Sequence, residues 1–456
     1  MKSVVILRGK NRLLCREFQT TKLEKENAFY NFAQKISREQ CMNIALTNIK
    51  QLVTVSAQGG KKLNRGGEMR ELGIIENAGI ISENGKILWL GTMNDFPKTK
   101  TENIETLDCE HCVVMPGFID AHTHSIFGGS RENEFTMRAS GISYQEIAAY
   151  GGGIVNTVEH TRNATKKDLK KSARHYLLQM LKHGTTTVET KSGYGLDFTN
   201  EIKLLECARE LEKEELTTVV PTFLGAHAIP KEYKERKNDY VQLVIEEMLP
   251  YVGKKKLAEF CDVFCEINFF SLDDTRKIFL AAKQFGMKLK LHAEELSYLG
   301  GTELAAEMQA TSVDHLEHIS EKGIRALQHS ETVAVLLPGV SFNLHHPFAP
   351  ARKIIDANIP VAIASDFNPG SCMSYSMPLM MTIACTQMQM TPEEAIVAST
   401  LNAAAAMDRS ETLGSLEIGK TADMLVLDIP NYKFLMYHFG ENHVRNVIKN
   451  GTLLEF

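Results

Sequence analysis

Two histidines one residue apart, His122 and His124, follow Pro116-Gly-Phe-Ile-Asp-Ala121 and close an apolar run that begins at Cys112. Side chains alternate along an extended chain, so an H-x-H pair presents both imidazoles on one side, where they can hold a divalent metal. The pair alone carries little weight. Three further residues of suitable type, His292, His315 and Asp366, each stand at the end of their own apolar run. Neutral imidazole and carboxylate suit zinc or ferrous iron, and three or four such ligands with a water make a catalytic rather than a closed site. A metal held in this way acts as a Lewis acid and lowers the pKa of its water to about 7, which supplies hydroxide at neutral pH. Glu295, three residues beyond His292, is placed to hydrogen-bond that water or a substrate ring nitrogen; the plainer alternative is a solvated loop carboxylate.

Residues so far apart in the chain need a scaffold that brings them to one place. Between residues 114 and 413 apolar runs alternate with helical-period segments such as 201–212, whose Ile202, Leu205, Ala208 and Leu211 fall on one face. Eight runs qualify as strands: 113–119, 185–189, 217–224, 261–266, 288–292, 311–315, 333–337 and 361–365. Alternating strand and helix predicts an α/β fold with parallel sheet, and eight units predict a closed (β/α)8 TIM-like barrel. The C-terminal strand ends of such a barrel meet at one mouth, which would collect His122, His124, His292, His315 and Asp366. The fourth run, Cys261-Asp-Val-Phe-Cys-Glu266, contains no lysine to bridge a second ion, so one metal is the simpler expectation.

The flanks read differently. Residues 42–113 and 414–456 carry short strand-like segments, including Lys86-Ile-Leu-Trp-Leu90 directly after the turn dipeptide Asn84-Gly85, and predict a small β-sandwich domain built from both chain ends. Residues 1–41 form an N-terminal extension expected to be disordered; its Lys2, Arg8, Lys10, Arg12 and Arg16 precede the first acid, Glu17, so mitochondrial import is the alternative to a cytoplasmic location.

Composition narrows the function classes. The 456 residues include 51 basic and 56 acidic side chains, a net charge of -5, which offers no footprint for nucleic acid or an anionic membrane and leaves a small molecule as the expected partner. No apolar stretch reaches the roughly 18 residues of a spanning helix. Nine cysteines, an odd number without regular spacing, predict reduced thiols, and Cys109-Glu-His-Cys112 lacks the second pair of a structural zinc site. Gly151-Gly-Gly153 lacks the Gly-Lys-Ser/Thr ending of a phosphate loop and reads as a rim or tight turn. His345-His346 read as exposed loop residues and the methionine-rich tract from Met373 to Met390 as a packed helical layer.

H-x-H on the first strand, histidines on the fifth and sixth and aspartate on the eighth resemble the amidohydrolase superfamily, a group of metal-dependent hydrolases. More specific segments resemble its imidazolonepropionase family: Phe127-Gly-Gly-Ser-Arg131 with Glu134-Phe135, Ser143-Tyr-Gln-Glu-Ile147, Gly151-Gly-Gly-Ile154, Glu189-Thr-Lys-Ser-Gly-Tyr-Gly195, Gly225-Ala-His227, His292-Ala-Glu-Glu295, Asp314-His-Leu-Glu317 and Asp366-Phe-Asn-Pro-Gly370. The resemblance runs from about Asn43 to the C-terminus. It implies hydrolytic opening of the ring of 4-imidazolone-5-propanoate to N-formimidoyl-L-glutamate, a step of histidine degradation, with one divalent metal, zinc or iron, on His122, His124, His292 and Asp366. It also implies substrate contacts from Arg131, Tyr194, His227, Glu295, Asn368, Gly370 and Ser371. Arg131 suits the propanoate because a guanidinium grips a carboxylate with two prongs.

The mechanism expected is attack of metal-bound hydroxide on the ring amide carbon. Asp366 takes the water's proton and passes it to the leaving nitrogen, while His315 steadies the hydroxide or the developing oxyanion. A homodimer is the expected assembly. Departures from the family pattern are the N-terminal extension and Ser365 before the aspartate; neither removes a ligand. Deamination of a purine or pyrimidine base on the same barrel is the rival activity, and a non-catalytic scaffold the rival class. Arg131, Tyr194 and the Asn368-Pro-Gly370 segment favour a cyclic amide with a carboxylate tail, and no ligand is lost.

Overall fold

The computed structural model describes residues 43–56, 62–97, 104–142, 146, 152–214, 216–454 and 456. The N-terminal extension 1–41 therefore lies outside the described residues, as do Gly151 and all of the 143–147 segment except Glu146. Asn84 and Gly85 both take positive φ, 51° and 74°, the conformation a two-residue hairpin turn demands. That turn joins β2 (Ile74–Glu83) to β3 (Lys86–Thr92), and β2 pairs antiparallel with β1 (Ile44–Val53). β4 (Glu105–Asp108) and β5 (Val113–Pro116) both run parallel to β1, one on each side of an irregularity between Leu46 and Ile49.

Eight parallel strands follow: β6 (Phe118–Asp120), β7 (Thr185–Lys191), β8 (Thr218–Ala226), β9 (Phe260–Cys265), β10 (Lys288–Ala293), β11 (Ser312–His315), β12 (Val333–Leu336) and β13 (Val361–Ile363). They pair in sequence order, each with the next. Nearly every position is buried, as expected where helices cover a parallel sheet from outside and side chains fill the barrel within. The helix Phe198–Glu214 buries Ile202, Leu205, Ala208 and Leu211 as its period requires. After the barrel, β14 (Met424–Leu427), β15 (Val444–Lys449) and β16 (Thr452–Leu454) return to the first sheet, where β14 pairs antiparallel with β5. Among the described residues no helix is long and apolar enough to cross a membrane.

Two details differ from the sequence expectation. The run 113–119 is not one strand: Gly117 divides it between two sheets, so that β5 serves the end domain and β6 opens the barrel. A Cβ at Gly117 would overlap the Thr186 side chain, which explains a glycine where the chain crosses from sheet to sheet. The end domain is also one continuous sheet of eight strands rather than two separate ones. One face packs on the barrel through Val113, Met115, Leu425 and Leu427; the other buries Ile44, Leu46, Ile80, Val114 and Met424 against one another, so the sheet curls about its own core.

The barrel closes between its first and last strands just beyond their ends. Asp366 N donates to His122 O at 3.0 Å and His124 N donates to Phe367 O at 2.9 Å. Below them Ser365 N and Oγ donate to the buried Asp120 carboxylate at 2.9 and 2.5 Å. The bonds that seal the barrel are thus the ones that set Asp366 beside the H-x-H pair.

Candidate active site

His122 and His124 lie just past β6, His292 near the end of β10, His315 at the end of β11 and Asp366 beyond β13. All five are buried. Positive φ at His315 (86°) and Asp366 (47°) turns the chain sharply there, a conformation that costs a non-glycine residue of order 1 kcal/mol or more and collects at functional sites. The ring centroids of His122 and His292 are 4.5 Å apart, and those of His122 and His124 5.5 Å. Ligating atoms of His122, His124 and Asp366 lie within 4.8 Å of one another, as do those of His122, His292 and His315. His122 belongs to both groups and links the four expected ligands.

Hydrogen bonds set the tautomers. His122 Nδ1 lies 2.7 Å from Asp314 Oδ2, and His292 Nδ1 lies 3.0 Å from Asp262 Oδ1. A carboxylate can only accept, so each Nδ1 carries the proton and each Nε2 keeps its lone pair. Those two Nε2 atoms and Asp366 Oδ1 are buried without a hydrogen-bond partner among the described residues, and Asp366 Oδ1 stands 3.4 Å from Nε2 of both His122 and His124. Buried polar atoms without partners are costly, and several converging on one spot are what an open ligand set looks like. Burial first, then the neighbouring Lys191 and His292, push His122 well below the usual histidine range; burial and His227 do the same for His124. Neutral imidazoles are the form that binds metal. Asp366 moves the other way, raised by burial to about 6.

Beneath the imidazoles lies a charged layer to which sequence reasoning gave no role. Lys191 Nζ sits 2.7 Å from Asp262, 2.9 Å from Glu189 and 3.5 Å from Asp314, all with fully buried side chains. Lys290 Nζ donates to Glu189 Oε2 and Ala121 O, both at 3.0 Å. Burial alone would discharge Lys191, but Asp262, Glu189 and Asp314 hold it well above its ordinary value. His122, Glu189 and Asp314 also bring ligating atoms within 4.8 Å of one another, but the two ammoniums already neutralise that group. The signal was legible in part: Glu189 and Lys290 are charged residues inside two of the runs read as barrel strands, 185–189 and 288–292. Such residues stay inside only when paired.

Around the mouth, Glu295 Oε2 is 3.5 Å from His315 Nε2, and Glu317 Oε1 is 3.6 Å from His315 Nδ1. Burial would lower the His315 pKa, but the Glu295 and Glu317 carboxylates raise it to about 10, while burial lifts Glu295 to about 7. Glu295 is partly buried, its side chain 16% exposed, and faces His315 rather than standing free in solvent. Its loop is anchored by Glu266, which accepts from Leu296 N at 3.0 Å and Ser297 N at 3.1 Å, and by Glu294, which accepts from Gly300 N at 3.0 Å. His227 stacks on His124 at 5.0 Å, and its Nδ1 donates to Gly193 O at 3.0 Å, leaving Nε2 as an acceptor. Tyr194 lies 5.5 Å from both rings, on a loop whose amides at 193, 195 and 196 donate to the buried Glu201.

Asn368 is engaged within its own turn: Oδ1 accepts from Gly370 N at 2.7 Å and Ser371 N at 2.8 Å, and Nδ2 donates to Asp366 O at 2.7 Å. Ser371 Oγ donates to Asp366 Oδ2 at 3.2 Å. Asn368 and Ser371 thus brace the aspartate. Arg131 reaches the same loop, its guanidinium lying against Gly370. Elsewhere, His345 is exposed with His346 half-buried, Met377, Met380 and Met381 are buried in the helix Met377–Gln387, and Cys109 and Cys112 are buried free thiols.

Fold and site together define a metal-dependent hydrolase of the (β/α)8 class. Residues 113–454 match the Amidohydrolase family. Relatives named imidazolonepropionase include those of Clostridium tetani, 48% identical over 90% of this chain and 98% of that protein, and Fusobacterium nucleatum, 46% identical over 90% and 98%. Solved structures with the same fold include a zinc-bound adenosine deaminase from Xanthomonas campestris, TM-score 0.67 at 16% identity over 90% of this chain and 92% of that one. A 5-methylcytosine deaminase from Klebsiella pneumoniae gives TM-score 0.69 at 15% identity over 90% and 97%. The chain belongs to the amidohydrolase family and, within it, to the imidazolonepropionases.

Proposed function

We propose that the protein hydrolyses 4-imidazolone-5-propanoate to N-formimidoyl-L-glutamate in histidine degradation, at the site bounded by His122, His124, His292, His315, Glu295 and Asp366. The observation that carries the reading is the pair of Nε2 lone pairs on His122 and His292, each aimed by a buried carboxylate and each without a hydrogen-bond partner among the described residues, beside Asp366 Oδ1, 3.4 Å from His122 Nε2. That donor set fits one divalent metal, zinc or ferrous iron, held by His122, His124, His292 and Asp366. When bound, the metal supplies Lewis acidity and makes water acidic enough to attack at neutral pH.

The protein's own groups do the rest. Asp366 takes a proton from the attacking water and returns it to the ring nitrogen as the carbon–nitrogen bond breaks, its orientation fixed by the donation from Ser371 Oγ to Oδ2. His315, charged between Glu295 and Glu317, donates from Nε2 toward the oxygen that gains charge as the carbon becomes tetrahedral. Glu295 accepts from a ring N–H, and His227 and Tyr194 wall the ring beside His124. Arg131 binds the propanoate carboxylate. A cytoplasmic location and a homodimeric assembly complete the proposal; the assembly is drawn from the family resemblance. Cell fractionation and sedimentation test these two points.

The direct test follows loss of imidazolone ultraviolet absorbance with freshly generated substrate, protein of measured metal content and a metal-stripped control. Metal-dependent consumption with formation of formimidoylglutamate is expected. A folded, metal-loaded protein that leaves the substrate untouched, or that instead releases ammonia from a purine or pyrimidine base, would overturn the assignment.

A further inference from the structure

Glu134 carries a buried charge that the mechanism above does not use. Its Oε2 accepts from both Nε (2.9 Å) and Nη2 (2.7 Å) of Arg131. Its Oε1 accepts from Gly153 N and from Asn156 Nδ2, each at 3.2 Å. Glu134 is 5% exposed and the Arg131 side chain 9%. The carboxylate is therefore tied to the helix Ile154–Asn163 and its entry as well as to the arginine, so it cannot swing with the guanidinium. The amide of Gly153, at a φ of 78° in the glycine-rich segment, thus serves to hold Glu134.

Glu134 occupies the Nε side of the guanidinium and leaves Nη1 without a described protein acceptor. That free end lies against Gly370, where an added Cβ would overlap Nη1 and come within 2.9 Å of Cζ. Such an overlap would be cheap for a mobile side-chain tip. It is expensive here because Glu134 prevents retreat. Arg131 and Gly370 both line one cleft of about 330 Å³. The remaining Nη1–Nη2 edge presents two parallel N–H groups, the complement of a carboxylate's two oxygens.

We infer that Glu134 is a positioning residue for Arg131 and that, with Gly370 as the opposite wall, it dictates where a substrate's carboxylate tail can dock. The inference rests on Arg131 being the carboxylate-binding residue. Steady-state kinetics on imidazolonepropanoate and on its neutral methyl ester test both. Glu134→Gln should raise KM for the acid about tenfold, the scale of weakening one charge-assisted hydrogen bond, with kcat nearly unchanged. KM for the ester should not move. The double variant Glu134→Gln with Arg131→Met should be no worse than Arg131→Met alone, because Glu134 acts only through the arginine. Equal KM changes on acid and ester, or additive losses in the double variant, overturn the inference. An Arg131→Met enzyme that still distinguishes acid from ester as the parent does overturns its premise instead. Should Glu134→Gln fail to fold, Asn156→Ala, which removes one of the two ties on Glu134 Oε1, carries the same comparison: a KM increase confined to the acid supports the positioning role, and an equal increase on both substrates refutes it.

Discussion

Replacing Lys191 by Met removes an ammonium set among three buried carboxylates, Glu189, Asp262 and Asp314, of which Glu189 also has Lys290. Three negative charges then face one positive charge in the barrel interior, where an uncompensated buried charge costs ~3–5 kcal/mol. The protein can relieve this by protonating one carboxylate, which caps the penalty. Keeping an ordinary carboxylate neutral at about pH 7 costs ~4 kcal/mol, its distance from a free value near 4 at 1.36 kcal/mol per unit; at about pH 5 the cost falls to ~1.5 kcal/mol. The folded variant holds a proton that the unfolded chain releases above about pH 4, so stability falls as pH rises through that range.

The assay is urea unfolding of metal-stripped parent and variant proteins at both pH values, so that metal loss does not contribute. Adding Asp262→Asn, which removes the carboxylate nearest the lost ammonium and leaves Glu189 with Lys290, should recover most of the loss. A penalty below about 1 kcal/mol at neutral pH, or one that does not shrink in acid, would refute the account of the charged layer.

Other outcomes follow from the same geometry. Asp314→Asn, which keeps the shape but no longer requires the proton on His122 Nδ1, should weaken metal binding by about 10–100-fold in competition with a chromophoric chelator; unchanged affinity would remove Asp314 from the tautomer argument. Asp366→Asn should abolish turnover, and activity retained with metal still bound would reject the proton-carrying role. Ser365→Ala removes the hydroxyl's donation to the buried Asp120 and its acceptance from Phe367 N, while the amide of residue 365 still reaches Asp120. It should lower stability by about 1–3 kcal/mol in denaturant unfolding, and a neutral result would show that water replaces the hydroxyl.

Much of this protein is legible one residue at a time. The eight apolar runs and the helical period of Ile202, Leu205, Ala208 and Leu211 announce the barrel, because burial selects apolar side chains at the spacing of each element. His122, His124, His292, His315 and Asp366 stand out because strand-end position and ligand chemistry are both written locally. What is not local is pairing. Nothing near Lys191 in the chain announces Asp262, 71 residues away, and nothing near His122 announces Asp314, 192 residues away. The same holds for Gly117, whose neighbours read as one continuous strand although the chain changes sheets there.

The sequence by itself determined which elements form and which side chains carry metal-binding chemistry, since backbone propensity and donor type belong to single residues and their near neighbours. Only the tertiary structure decided which nitrogen of each imidazole is free, which carboxylate is neutralised and which edge of Arg131 remains open. Those properties depend on partners supplied by other strands, and hydrogen bonds and charges inside a barrel are set by distances of a few ångströms that chain spacing does not encode.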